Sequence, residues 1–562
     1  MLQRLIFLQV AGAVASVSLL TLGTGHTAVQ DQQLTALTEP RVFVREDFHH
    51  LSGIAPPLTR SDVTKTVDVI AGTGVNTLIF SLGSRGGMCL YDTHVGQMHS
   101  TNVDKWTHAV NYRDALHVRQ LVAEGWDRPQ LFCDRCHEEG ILFFASAPLN
   151  IGSHTTEESR GLGRTSDFVF DNPQLRVGKD QDPRAKHVSP TRMNFIYPEV
   201  RKERLQVYGE LLARYETDGV EVQSEVLPLC KYDQVDRCAP LLTAWFRELR
   251  KIANQAEKTQ GRRKRIYVRI PANPNVWSAV GFEVSVWVAE RLVDGLICTS
   301  NDPEILDQDL DLSAVVSLTR DSSCRVLVGC GTTLQRKLKP KATAKMIWGA
   351  AANAYHQGAV GFGLNDMIRS QGLLFLDDMH STLRLLGSPT SLASANKIYR
   401  VRDLPRTVNS FGTGLPETQP PLPRTLKVGH VQRIPLRVAD DLHRWWDLDR
   451  LKHVKLRIRL SNLEPTRNKL RILLNDTPLP ESNLQITDLT YRFIQQGVAY
   501  QGNQIYEYVL SPEMYPIRGI NTVSVTLLQR DPSVDLEFHV RDVDCSIEYR
   551  HHRHFEPRPI DY

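Results

Sequence analysis

The stretch Asp218-Gly219-Val220-Glu221-Val222-Gln223-Ser224-Glu225 reads as a β-strand whose two faces differ in kind. Side chains alternate along a strand, so Glu221, Gln223 and Glu225 share one side while Val220 and Val222 take the other. Polar groups at successive inward positions are costly when left unpaired, so they need a hydrogen-bonded network or an open site. Glu225 lies nearest the C-terminal end, where the loops of a parallel barrel build a pocket.

Runs of similar length recur on both sides of this stretch. Candidate strands are Arg41 to Arg45, Asn76 to Leu82, Gly140 to Ala147, Asp218 to Glu225, Arg265 to Pro271, Asp294 to Thr299, Arg325 to Cys330 and Gly358 to Leu364. Between them the periodicity turns helical, over Pro129 to Gly140, Pro198 to Tyr215, Trp277 to Leu292 and Ala342 to His356. Alternation of this kind, eight times between residues 41 and 387, predicts an α/β fold, a (β/α)8 TIM barrel. A doubly wound sheet is the alternative, and no GxGxxG follows an early strand to support its nucleotide-binding form. Two insertions, Cys89 to Lys105 and Asn150 to Met193, follow the second and third strands, and the second reads as a binding loop or lid.

Pro405 to Arg424 carries five prolines with Gly, Thr and Ser, the composition of a linker. Beyond it, alternating runs at His453 to Leu460, Leu470 to Leu474, Tyr506 to Leu510, Thr522 to Leu528 and Leu536 to Val540 predict an antiparallel β-sandwich. Arg4 followed by an apolar stretch from Leu5 to Leu22 matches a secretory signal peptide, with an uncleaved membrane anchor as the rival. The expected layout is therefore signal peptide 1–28, barrel 40–400, linker 401–424, sandwich 425–550 and a polar tail 551–562. After cleavage of the leader, no membrane contact is expected of a secreted or periplasmic protein.

The formal charge of +4 selects no class of partner. The basic run Arg262-Arg263-Lys264-Arg265 has no interleaved aromatic residues, so it reads as a solvated loop and nucleic acid is not expected as a partner. Among nine cysteines, Cys230 and Cys238 bracket a short loop as a candidate bridge. Cys133, Cys136 and His137 fall on an amphipathic helix whose inner face holds Leu131, Phe132 and Cys136, so the CxxCH pattern reads as packing. Asn475-Asp476-Thr477 is a glycosylation sequon. His49, His50 and His154 are too scattered for a metal site, and neither a metal nor a cofactor is expected.

Residues at other strand ends complete a candidate cleft: Glu46 and Asp47, Asn150 and His154, Arg269, Asp302, and Asn365 with Asp366. For each alone, a cap or loop hydrogen bond is the competing reading. Trp106, Trp126 and Trp277 are candidate stacking surfaces, with core packing as the alternative.

The octapeptide at 218–225 resembles the DGxDxDxE signature of chitinase-type glycoside hydrolases, whose last Glu is the general acid. It keeps Asp218, Gly219 and Glu225, and has Glu221 and Gln223 in place of two Asp residues. More broadly the chain is similar to the planctomycete-type glycoside-hydrolase-like barrel proteins, through Arg41-Val42-Phe43-Val44-Arg45-Glu46-Asp47, Asp127-Arg128-Pro129, Tyr197-Pro198-Glu199-Val200, Val268-Arg269-Ile270-Pro271, Asn353-Ala354-Tyr355 and Val438-Ala439-Asp440-Asp441-Leu442. The resemblance implies a TIM barrel acting on a carbohydrate substrate. The octapeptide resemblance gives Glu225 the role of general acid; Glu221, Asp366, Glu46 or Asp47 is the candidate second carboxylate, and the strand-end positions make Glu46, Asp47, Asn150, His154, Gln223, Arg269 and Asn365 the candidate substrate-binding residues. Gln223, where relatives have an acid, keeps a second expectation open: a catalytically inactive carbohydrate-binding or scaffolding barrel.

Overall fold

The computed structural model describes residues 39–550 except 100, 154, 188, 225–226, 301–303, 335–341, 369–376, 402–420 and 489–502. The leader at 1–28, most of the linker, the tail at 551–562, Glu225, His154 and Asp302 thus lie outside the described residues.

Eight parallel strands close into a barrel: Val42–Glu46, Thr77–Ser81, Leu142–Pro148, Gly219–Gln223, Arg265–Pro271, Gly295–Thr299, Arg325–Cys330 and Gly361–Asn365. They stand in sequence order around the barrel, the first pairing with both the second and the eighth. Outward residues such as Val44, Phe80, Phe143 and Val222 meet the surrounding helices. Phe132 of the helix Arg128–Glu138 sits 4.4 Å from Phe80 and 5.5 Å from Phe143, ring centre to ring centre, and Cys133 and Cys136 are buried on the same helix. The CxxCH segment is therefore packing, with His137 turned toward Asp218.

One device recurs at the N-terminal edge of the barrel. Asn76 Oδ1 accepts from Val42 N at 3.1 Å, Asp218 Oδ2 from Phe143 N at 2.8 Å, and Asp294 Oδ2 from Ile266 N at 2.8 Å. Each side chain, standing just before the second, fourth or sixth strand, thereby ties it to the strand preceding it and satisfies a backbone donor at the barrel floor. The basic run serves the same edge: Arg262 Nη1 lies 3.1 Å from Asp218, Arg263 Nη2 3.3 Å from Asp294, and buried Lys264 donates to the carbonyls of Tyr215 and Thr217. This corrects the expectation of a solvated loop for Lys264 and Arg265, which are buried, while Arg263 stays exposed and Arg262 partly so; the carboxylates that attract the run stand just before strands 31 or more residues away.

The helix expected over Trp277 to Leu292 is two short helices, Pro274–Val280 and Val284–Ala289. Gly281, at φ 80°, ends the first in a left-handed cap.

After the barrel, two antiparallel sheets face each other over a separate apolar core that includes Leu456, Ile458, Val523, Val525, Val543 and Ile547. One has the order Lys397–Arg400, Phe538–Tyr549, Leu451–Ser461, Asn503–Val509, Leu484–Asp488, with Arg424–Leu426 also on Phe538–Tyr549. The other has Val431–Val438, Gly519–Gln529, Lys469–Leu474, Thr477–Pro478. The strand Lys397–Arg400, inside the segment that the sequence assigns to the barrel, belongs to the sandwich. Gln308 of the barrel bonds it at both ends, from Nε2 to Ile398 O and at Oε1 from Arg400 N. Asn353 Nδ2 reaches Arg437 O at 3.3 Å, and buried Lys397 pairs with Asp440 at 3.1 Å. Asn475 of the sequon occupies a turn at φ 49°, its amide nitrogen donating to Asn521 Oδ1 at 2.7 Å.

Candidate active site

The barrel interior is built in layers. Toward the N-terminal end, Phe43, Ile79, Leu142, Phe144, Tyr267, Ile297 and Leu327 form a small apolar cluster of their own. Its large rings fit because the inward positions beside them are glycine: a methyl on Gly363 would overlap the Phe43 ring, and one on Gly295 the Tyr267 ring. One inward position higher on the same strands, chemistry replaces packing. Arg45 follows Phe43, Ser146 follows Phe144, Arg269 follows Tyr267, and on the fourth strand Gly219 gives way to Glu221 and then Gln223.

These groups hold one another. Arg269 Nη2 stands 2.7 Å from Glu221 Oε1, and the Ser146 hydroxyl donates to Glu221 Oε2. Arg45 Nη2 donates to Gln223 Oε1 at 2.8 Å, and Arg45 Nη1 lies 3.4 Å from Asp366 Oδ1. The Ser224 hydroxyl donates to the carbonyl of Arg269, closing the fourth strand against the fifth. Burial lowers the Arg269 guanidinium, with Glu221 opposing. Burial also acts to lower Arg45, but Asp366, Glu221, Asp47 and Glu46 around it outweigh that and hold it above its usual value.

The sequence candidates thus separate by place. Glu221 has a fully buried side chain and serves as the partner of Arg269 and Ser146. Asp366, at the end of the eighth strand, keeps 23% of its side chain exposed and holds a left-handed backbone at φ 51° while its N–H donates to Arg45 O. That conformation is uncommon outside glycine, though Asp tolerates it, and it breaks the strand at the rim. Asn365 is buried in the same layer, facing Gly329. Asp47 is partly exposed next to Arg45. Glu46 shares the outward phase of Val42 and Val44, and its Oε1 accepts from Ile368 N at 2.5 Å, so the structure does not bring it into the interior layer. Asn150 is buried, its Oδ1 accepting from Arg192 Nε at 2.6 Å.

The two insertions dock on each other. Asp167 accepts from Gln97 Nε2 and Asn102 Nδ2, both at 2.7 Å, and Thr107 N donates to Gly161 O at 3.0 Å. Trp106 packs on Gly163 and Tyr112, which makes it part of this junction. Trp126 is 38% exposed beneath the Arg60 guanidinium, and Trp277 donates from Nε1 to Pro271 O at 2.8 Å at the end of the fifth strand. His50 pairs with Thr66 and packs edge-on against Phe80. Among the described residues, no three His, Cys, Asp or Glu side chains gather as a metal site.

Sequence reasoning did not single out Arg45 or Ser146 as members of the network. Arg45 stands two residues after Phe43, in phase with it, and that phase was the available signal.

No protein-family model matches this chain, and no curated protein matches it. Among solved structures it is similar to the glycoside hydrolase domain of PgaB (BpsB) from Bordetella bronchiseptica, at 11% identity and TM-score 0.39 over 62% of this chain and 99% of that one. It is similar to α-L-fucosidase isoenzyme 2 from Paenibacillus thiaminolyticus, at 10% identity and TM-score 0.39 over 64% of this chain and 50% of that one. An α-L-fucosidase from Bacteroides thetaiotaomicron shows 9% identity and TM-score 0.37, over 89% and 96% of the two chains. At such identities the assignment of the TIM barrel and its C-terminal sandwich rests on the strand order itself.

Proposed function

We propose that this protein is a secreted glycoside hydrolase acting on a poly- or oligosaccharide at the C-terminal rim of its barrel. The observation that carries the reading is the polar upper layer, in which Arg45 joins the first, fourth and eighth strands through Gln223 and Asp366. Polar side chains at inward positions of a barrel are costly unless they are hydrogen-bonded or line a site, and the C-terminal rim, where this layer lies, is where barrel enzymes place theirs. Asp366 is a carboxylate paired with Arg45 that meets solvent. It takes the role of second carboxylate. Glu225, two residues beyond Gln223 in sequence, takes the role of general acid. Glu221 positions Arg269 and does not exchange protons with substrate.

The test is a screen of hydrolysis products over a polysaccharide panel, followed by Glu225→Gln and Asp366→Asn on the substrate found. Each is expected to lower kcat by about 10²–10⁴-fold in a protein that still melts cooperatively. Undiminished turnover in Glu225→Gln removes the assignment of the acid.

A second reading, a barrel that binds carbohydrate without cleaving it, draws support from the commitment of Glu221 to Arg269 and of Gln223 to Arg45. Glycan binding by the wild type with no product from any member of the panel selects it.

A further inference from the structure

His99 belongs to the first insertion and stands between Gln97 and Asn102, two of the residues that dock it on the second. Its backbone N–H donates to Cys89 O at 2.7 Å, and its ring centre lies 6.4 Å from that of Trp106, which packs on Gly163 across the junction. The imidazole points into the protein. Nδ1 stands 3.7 Å from Asp114 Oδ2 on the helix Ala109–Ala123, and Asp114 Oδ1 accepts from Arg128 Nη2 at 3.1 Å. All three side chains are 1% exposed. Among the described residues, neither His99 Nδ1 nor Asp114 Oδ2 makes a hydrogen bond. One carboxylate thus faces two groups, and Arg128 already holds it.

We propose that His99 is an acid-sensitive latch on the junction of the two insertions, closed while its imidazole is neutral and released when the ring takes a proton. The physical reason is a shortage of counter-charge. Burial pushes His99 down to about 4; Asp114 favours the imidazolium, whereas Arg128, Arg164 and Arg119 oppose it. His117, one helical turn beyond Asp114, is buried as well and supplies no negative charge. A histidine released to water titrates near about 6.5. The open form therefore binds more protons between about 4 and that value, so closure is fully favoured above the window and weakens as pH falls through it. Release of His99 frees the segment that carries Gln97, Asn102 and Trp106, and with it the contacts to Asp167 and Gly163.

The experiment follows hydrogen–deuterium exchange in the full chain at pH 7 and pH 5, with labelling times scaled to the intrinsic exchange rate at each pH. From pH 7 to pH 5, protection in peptides covering residues 101–107 and 159–167 is expected to fall about tenfold and to return on neutralisation, while the sandwich strand Leu451–Ser461 keeps its protection. His99→Gln and His99→Asn, which cannot take the proton, are expected to lose that dependence, whereas His117→Gln keeps it. Wild-type protection that is the same at both pH values overturns the latch. A wild-type midpoint above about pH 6.5, where a histidine of lowered proton affinity is still neutral, overturns it as well. So does a fall of equal size in the sandwich, which marks general acid unfolding. A fall of wild-type size in a folded His99 variant, or its loss in His117→Gln, moves the titration to another group and overturns the assignment to His99.

Discussion

The lower and upper halves of the barrel interior are made by the same strands under the same alternation, and they solve opposite problems. Below, Phe43, Phe144 and Tyr267 fill space that Gly363 and Gly295 leave open, so tight packing decides which residues are allowed. Above, Arg45, Ser146, Glu221, Gln223 and Arg269 occupy equivalent positions, and pairing of charge decides. Going up one inward step on a strand therefore changes what a substitution breaks: shape in one layer, partnership in the next.

The largest expected effect lies in the upper layer. Arg269→Ala strips Glu221 of its cationic partner in a fully buried position, and urea unfolding is expected to show a loss of about 3–5 kcal/mol. Replacing both residues with leucine is expected to recover most of it, since an apolar pair needs no partner. A loss below about 1 kcal/mol for Arg269→Ala would show that the upper layer is held by shape after all. In the lower layer, Gly363→Ala drives a methyl into the Phe43 ring, with an expected loss of about 1–3 kcal/mol in the same assay. Phe43→Leu in that background is expected to relieve part of it.

The smallest effect tests the barrel floor. Asp218→Asn keeps the shape and weakens the bonds to His137 and Arg262, at an expected cost of about 1–2 kcal/mol near neutral pH. Burial acts to raise the Asp218 carboxyl, but its bonds to His137 and Phe143 N and the charge of Arg262 outweigh that and hold it below the usual carboxylate value. Its contribution is accordingly present above the unfolded value near about pH 4 and is lost as pH falls through the lower folded one. Thermal melts from pH 7 downward should show the gap between wild type and Asp218→Asn narrowing in acid.

The barrel strands were legible as short apolar, β-rich runs set between longer helical stretches, and two of them open on a sharp boundary, where Gly219 and Gly295 follow directly on Asp218 and Asp294. The helix over Trp277 to Leu292 misled because its apolar residues keep a helical spacing across Gly281, which outweighed the stop signal that the glycine itself supplies. The upper layer was half legible. Glu221 and Gln223 announce themselves as polar residues on an apolar strand, whereas Arg45 in Val-Phe-Val-Arg-Glu looks like the end of a strand rather than its most connected member. Whether Glu46 or Arg45 enters the barrel depends on phase alone, and the pairing of Arg45 with Gln223 spans 178 residues that no local pattern bridges. The sandwich strand Lys397–Arg400 is short, and its partner Phe538–Tyr549 lies at the far end of the chain.

That short strand turns the link between barrel and sandwich into a seam rather than a tether. Gln308 grips it from the barrel while Phe538–Tyr549 pairs along its length, and buried Lys397 locks onto Asp440 beside it. A pull on the sandwich would load the strand in shear, against a row of hydrogen bonds that must give together. Mechanically the second domain is thus a splint on the barrel wall, and a cut at residue 400 would leave this strand on the barrel without the Phe538–Tyr549 edge it pairs with, rather than trim a loose end.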